Sequence, residues 1–342
     1  MRLPNVKVSA ELRAAVKSAE KGFSLVELVI AMGLGVFLSS VMVFSYVNAV
    51  QSGRYDEQVL FVQENARFAL RFLSRELSLA GYHGALGDFH EIAAPLSATD
   101  CSFAGWSLDR SRPLQVVDDY IAGSSPVTGD AQLLGCLDSS SIEPATDLLT
   151  FRRSAAVASL RDGVAEQDLV RSATETWFLR AENNVAQRWE KSRPRDLPSL
   201  AASSSSSVSY WQAIARIVFV RPFSQVEGDG LPTLCMKTLA GTLMTTRCLV
   251  EGVENIQVEF GLDTDFDGVP NVYQSGLGLS EMHQAVTARI HLLVRSADAV
   301  SPRLDEKSYV LGAVIVPPPL DRYVRRVFSA TVQLKNLAHG LG

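Results

Sequence analysis

The stretch Lys21-Gly22-Phe23-Ser24-Leu25-Val26-Glu27-Leu28-Val29-Ile30-Ala31 joins a basic leader to a long apolar run. Upstream, residues 1–22 carry Arg2, Lys7, Arg13, Lys17 and Lys21 against Glu11 and Glu20. Downstream, Glu27 is the only charged residue across residues 23–47. As a helix that run rises about 37 Å, enough to cross a hydrocarbon core of about 30 Å. The basic excess predicts a leader that stays cytoplasmic and a body that is exported. A secretory signal peptide has a shorter apolar core, about 7–15 residues. Even so, Val47-Asn48-Ala49 resembles its small-x-small cleavage site.

Glu27 is the residue that an ordinary membrane span does not ask for. A carboxylate at the centre of such a helix costs about 2.5–3.5 kcal/mol on insertion scales, and less near an interface. A cut after Gly22 would give Phe23 a new α-amino group one helical turn from Glu27. The charge would then have a partner, in its own chain or in a neighbour packed alongside. Gly22 suits the position before the cut because a peptidase cleft near the membrane needs close backbone approach. The simpler alternative is a plain anchor helix with a glutamate near its end.

Gly22-Phe23-Ser24-Leu25-Val26-Glu27 resembles the prepilin processing motif of type IV pilins and their pseudopilin relatives. That resemblance implies an inner-membrane prepilin peptidase that cuts after Gly22 and N-methylates Phe23. It further implies that Glu27 neutralises the terminus of the adjacent subunit during assembly. The chain departs from the family in a leader longer than many, and in Phe44, where major pilins often carry a helix-kinking proline. Gly33 and Gly35 could supply local helix weakness instead.

Beyond Ser45 the composition turns polar, and no proline interrupts the chain before Gly81. Val59, Val62, Ala66, Ala69, Leu73, Leu77 and Ala80 recur at spacings of three and four, a stripe along one helical face. Arg54, Glu57, Glu64, Arg67, Arg71 and Arg75 fall on the rest of the surface. Gly81 fits a helix stop. The expectation is one helix over residues 23–80, with its first half facing lipid or other subunits and its second half packed on a head. Gln63-Glu64-Asn65-Ala66-Arg67-Phe68-Ala69-Leu70, continued by Leu73-Ser74-Arg75-Glu76-Leu77 and Ala80-Gly81-Tyr82, resembles the PilW group of large minor pilins.

The whole chain has 342 residues, 47% apolar and 20% charged, with a net charge of −5. These are values of a folded protein long enough for one large domain or two modest ones. No basic run of the kind nucleic-acid binders show is present. Cys101, Cys136, Cys235 and Cys248 all lie beyond the apolar run, and none forms a Cys-x-x-Cys pair. An even number on the exported side predicts two disulfides. Three pairings are open; Cys101 with Cys136 and Cys235 with Cys248 closes the shortest loops.

The head reads as two parts: residues 82–205, loop-rich and variable, and residues 206–342, rich in strands. The first expected strand is 147–152, entered from a turn at Pro144. Residues 200–209 include five consecutive serines, Ser203 to Ser207, and that run reads as a flexible loop or linker. Strands are expected at 213–220, 253–260, 287–294 and 327–334, where β-branched and aromatic residues partly alternate. One long helix followed by an antiparallel sheet makes the class α+β, pilin-like. In order, the chain divides into leader 1–22, membrane and assembly half 23–47, amphipathic half 48–81, and the two head parts. The PilW resemblance returns in Leu249-Val250-Glu251-Gly252-Val253-Glu254-Asn255, in Leu292-Leu293-Val294-Arg295-Ser296, and in the stretch from Arg322 to Val332.

Asp263-Thr264-Asp265-Phe266-Asp267-Gly268 sets three carboxylates at alternate positions before a glycine. Ca²⁺ loops use that spacing because a hard cation needs several converging oxygens, and glycine permits the bend. Val269 would add its carbonyl and Asn271 an oxygen, while Gln274 stands where the best loops have a bidentate glutamate. The plainer alternative is a solvated acidic turn. No catalytic constellation is legible: His83, His90, His283, His291 and His339 are isolated, and no Gly-x-Ser-x-Gly elbow or phosphate-binding glycine loop occurs. Arg325-Arg326 reads as a strand end or salt-bridge donor, and the tryptophans read as core or interface residues.

The resemblance implies a minor type IV pilin anchored in the inner membrane with its head in the periplasm, then placed near the pilus tip. Its implied partners are PilV-, PilX- and FimU-like minor pilins, the major pilin, a PilY-type adhesin, the prepilin peptidase and the assembly platform. Priming of the fibre, adhesion and twitching motility are the implied roles. The alternatives are a minor pseudopilin of type II secretion, whose largest subunit commonly lacks the assembly glutamate, and a tip adhesin binding a surface or DNA directly. A membrane-anchored enzyme has little in the sequence to support it.

Overall fold

The structure is a computed structural model and describes residues 22–84, 92–94, 105–121, 136–161, 164–165, 174–202, 207–241 and 243–337. It contains two compact units, Met1–Arg54 and Tyr55–Gly342. The helix α1, Leu25–Leu79, runs through both. Its ends fall within two residues of the expected 23–80, the usual latitude of helix boundaries. It passes through Gly33 and Gly35 unbroken, and the hydroxyls of Ser39 and Ser40 donate to the carbonyls of Gly35 and Val36, each at 2.8 Å.

In the first unit every described residue is exposed, including Leu28, Phe37 and Val43. A helix that is apolar all round yet covered by no other described residue must bury its surface elsewhere. This one is long and apolar enough to cross a membrane.

In the second unit the stripe packs largely as expected: Val62, Ala66, Ala69, Leu73, Leu77 and Ala80 are buried, and Val59 is half-buried. The strands that receive it are β1 Leu114–Val117, β2 Leu148–Ser154, β3 Leu160–Arg161, β4 Val164–Ala165, β5 Thr176–Glu182, β6 Val185–Ser192, β7 Val208–Arg221, β8 Thr233–Ala240 and β9 Leu243–Glu251. They continue with β10 Val253–Leu262, β11 Val272–Ser275, β12 Ala285–Arg295, β13 Tyr309–Leu311, β14 Val314–Val316 and β15 Arg325–Gln333. Every described pairing is antiparallel.

The long strand β7 organises the larger sheet. Its first half lies between β3 and β5, and its second half between β2 and β8. A four-stranded sheet runs in the order β11-β10-β12-β15, and β13 and β14 form a separate hairpin. The largest core unites the helix stripe with Leu149, Phe151 and Val218 of the first sheet and Ile256, Ile290 and Leu292 of the second. Burying each such side chain is worth about 1.5–3 kcal/mol, which is why the helix holds to the sheets here and not in its first half.

The expected strands at 147–152, 213–220, 253–260, 287–294 and 327–334 coincide with β2, β7, β10, β12 and β15. The serine run at 203–207 lies, all but Ser207, outside the described residues, between a short helix at Leu197–Ala202 and the start of β7 at Val208. One expectation is corrected. The first strand is not 147–152 but β1, which is too short to alternate visibly and exists by pairing with β2. Two glycines do work that a side chain would obstruct. Gly81 stops the helix at φ +77°, where a Cβ would lie 3.1 Å from the Asn336 carbonyl oxygen. Gly252 turns β9 into β10 at φ +81°, where a Cβ would lie 2.5 Å from the Arg295 carbonyl oxygen.

Candidate functional site

At the head of α1, Gly22 and Phe23 are exposed and precede the first helical turn. The Ser24 N–H donates to Glu27 Oε2 at 2.9 Å, and the Glu27 N–H donates to Ser24 Oγ at 3.2 Å. That reciprocal pair is a capping box, which satisfies two donors that a helix start leaves open. Ser24 is not among the residues expected from the sequence, although Ser-x-x-Glu before an apolar run is the signal for it. While the Gly22–Phe23 bond is intact, Phe23 has no free amine, and the Glu27 carboxylate is engaged with its own helix. A cut places a cation beside a carboxylate that already caps the helix.

The acidic turn between β10 and β11 gathers its three aspartates. Carboxylate oxygens of Asp263, Asp265 and Asp267 lie within 4.8 Å of one another, with Asp263 buried and the other two exposed. The loop is shaped from inside: Asp263 accepts the N–H groups of Asp267 at 3.2 Å and Gly268 at 2.7 Å. Backbone N–H donors around Asp263 hold its carboxyl below the usual range against the opposing effect of burial. Phe266 takes a left-handed φ of +62° and its ring stacks on His283.

The neighbouring residues of the expected loop also bond around the turn. Asn271 Oδ1 accepts the Thr264 N–H at 2.8 Å, and Gln274 donates to Glu281 at 2.8 Å. Val269 enters through its N–H, which donates to Asp267 Oδ1. The donors that converge are three hard carboxylates, which fit a divalent cation of the calcium kind; Asn271 is already used in closing the turn.

Cys235 on β8 and Cys248 on β9 stand opposite each other and form a disulfide. Cys136 is also disulfide-bonded, while Cys101 lies outside the described residues. The leader, residues 1–21, does too.

Polar clusters elsewhere brace the head. Glu76 on α1 is 2% exposed and is shared by Arg153 of β2 and Arg216 of β7. Arg325 is a salt-bridge donor, as expected, held by Glu254 at 2.6 Å and by Asp321 at 2.6 Å, with Asp305 at 3.5 Å. Two histidines taken as isolated have partners: His83 Nδ1 lies 3.2 Å from Ser154 Oγ, and His291 Nε2 lies 3.3 Å from Glu259. At the join of the sheets, Asp147 accepts the N–H of Asp119 at 3.0 Å and of Val258 at 2.7 Å, while its own N–H donates to Ile256. Asp147 thereby mimics one rung of a strand along the open edge of β10.

A long apolar N-terminal helix continued by an antiparallel β head is the architecture of a pilin-like α+β protein. By comparison, residues 224–336, spanning β8 to β15, match the PilW family model, Type IV Pilus-assembly protein W. The match covers about a third of the chain, and that part is similar to a family of type IV pilus assembly. Searches of curated proteins and of solved structures return no match.

Proposed function

We propose that this chain is a minor pilin of a type IV pilus, cut between Gly22 and Phe23, held in the inner membrane by the first half of α1, and later built into the fibre near its tip. The observation that carries the reading is a coincidence of two independent regions. Gly22-Phe23 and the Glu27 carboxylate sit at the head of an uncovered apolar helix, and the strands at the other end of the chain match a pilus-assembly family. Within that reading the chain works with PilV-, PilX- and FimU-like minor pilins to prime growth on the assembly platform. It caps the major pilin and helps to present a PilY-type adhesin, and so supports adhesion and twitching motility. Its contribution is assembly and display, with no reaction assigned to the head.

For the acidic turn, we propose Ca²⁺ as the occupant, held by Asp263, Asp265 and Asp267. The convergence of their oxygens supports this reading, and the ion would lock the β10–β11 connection by neutralising three crowded charges.

N-terminal analysis of the mature protein tests the main reading. Methylated Phe23 at the terminus is expected; a terminus at Val50 would mean signal-peptide cleavage and would sink it.

A further inference from the structure

The edge strands of the head are not alike. β1, β4, β11, β13 and β14 have four residues or fewer. β6 carries Arg188, Glu190 and Lys191, and β15 opens on Arg325 and Arg326 with β13 beside it. Shortness, charge and cover are what keep an edge from pairing with another chain. β9, Leu243–Glu251, is nine residues long, has no proline or glycine, and carries one charge, Arg247, before Glu251 at its end. Among the described residues it pairs with β8 alone. Thr245, Thr246, Arg247 and Cys248 are exposed in succession. Successive side chains of a strand face opposite sides, so no described residue covers either side of that stretch.

The pairing with β8 fixes which backbone groups are free. Cys235 and Cys248 stand opposite each other with Cα atoms 3.9 Å apart, the close spacing of a non-hydrogen-bonded antiparallel pair. The register then alternates: Thr245 and Arg247 take the hydrogen-bonded positions opposite Thr238 and Met236. Met244, Thr246 and Cys248 turn their N–H and C=O groups away from β8. Outward groups of this kind repeat about every 6.8 Å, a spacing that an extended polypeptide matches and a helix does not. The disulfide staples the foot of this run to β8, which β7 holds on its other side. A register shift between Leu234 and Cys235 ends the regular run at Cys248.

We infer that β9 is a docking edge for an extended segment of a second protein, which joins the sheet as a further strand along residues 243–248. The segment's backbone makes most of the contact, and two side chains of β9 select it. Leu243, 54% exposed, and Arg247 lie on one face four residues apart. The segment therefore sets an apolar side chain and a carboxylate on one face at the same separation. The inference uses the geometry of the edge and stands apart from the pilin reading.

The test uses the full-length chain in the cells that produce it, with a photo-crosslinking benzophenone side chain at Leu243, Thr245 or Arg247 in turn. Mass spectrometry locates the crosslinked positions. The expected result is a single partner segment on which those positions move by two residues for each two-residue move of the probe, the mark of paired strands. Thr246→Pro removes an outward N–H and leaves the β8 ladder intact. It should lower the yield from the Thr245 probe about tenfold, whereas Thr246→Val, which keeps that N–H, should leave it unchanged. Adducts scattered over several segments, positions that move by three or four as on a helix, or no adduct at all would overturn the inference. So would a yield that proline does not change, or one that valine lowers equally. The stepping pattern is read without the proline, so it decides even if that variant is degraded.

Discussion

Arg153 Nη2 donates to Glu76 Oε1 at 3.1 Å, joining the buried side of the helix to the second strand of the large sheet. Arg216 reaches the same oxygen from β7, so one carboxylate holds two guanidinium groups. Burial presses the Arg216 pKa down, and Glu76 opposes that shift. Such a cluster is weak evidence of net stability, but breaking it is costly, because uncompensated charge is left in a medium that solvates it poorly.

Glu76→Gln should therefore destabilise the protein by about 3–5 kcal/mol. Urea unfolding of the full chain in detergent measures it. Replacing all three members by apolar residues of similar volume should cost less than the single change. If Glu76→Gln shifted the midpoint no further than a surface substitution, the cluster would not be holding helix to sheet.

Glu27 has two possible duties that one pair of variants separates. Glutamine serves in a capping box as glutamate does, so Glu27→Gln keeps the cap and removes the charge. Ser24→Ala removes the cap at a cost of about 1 kcal/mol of helix stability and keeps the charge. We expect Glu27→Gln to be cut normally after Gly22 and yet to be lost from purified fibres, with Ser24→Ala affected far less. The reverse order, read by immunoblot of sheared pili, would make Glu27 a helix cap and nothing more.

The helix was legible because its stripe is periodic and nothing breaks it before Gly81; Leu73 and Leu77 could be placed in the core from spacing alone. Glu76 was legible in principle, being three residues from Leu73 and four from Ala80, but its charge placed it outside the apolar pattern. Strands β5 and β6 were missed although Asn183-Asn184 joins them with φ of 50° and 64°, the left-handed pair that a tight hairpin turn requires. Asp147 could not have been read at all. Its role depends on Val258 and Asp119, far away in the chain, meeting it at the seam between sheets. At the acidic turn the spacing of the aspartates foretold their convergence, whereas the side-chain orientation of Asn271 depends on Thr264 and not on spacing.

Calorimetric titration of the full-length protein with Ca²⁺ should show binding in the range of about 10⁻⁴–10⁻³ M, typical of extracellular modules with incomplete ligand sets. Asp265→Ala should abolish the heat, while Asn271→Ala should weaken binding only through the loosened turn. Absence of any signal from the unaltered protein at millimolar ion would reduce the cluster to an acidic turn.

Asp147 gives the head a pH dependence of unusual sign. Burial pushes its pKa up to about 8, against the lowering effect of the Asp119 and Val258 N–H groups and with help from the charges of Asp118 and Asp119. A carboxyl whose folded pKa lies above its unfolded value favours the fold fully below about 3.8, and that contribution is lost as pH rises through 8. The loss amounts to at most about 1.4 kcal/mol per pH unit. His83 acts in the other direction. Burial first, then the charge of Arg110, lowers its pKa to about 3. Its contribution is present above pH 6.5 and is lost as pH falls towards 3. Asp147→Asn removes the first slope and leaves the second, at a pH-independent cost of about 1 kcal/mol for the hydrogen bond that an amide cannot accept. Unfolding free energies of the two proteins, measured from pH 4 to pH 9, should therefore differ by an amount that changes steadily up to pH 8 and is flat above it. A constant difference across the range would mean that Asp147 is ionised throughout and that the seam is held by its charge.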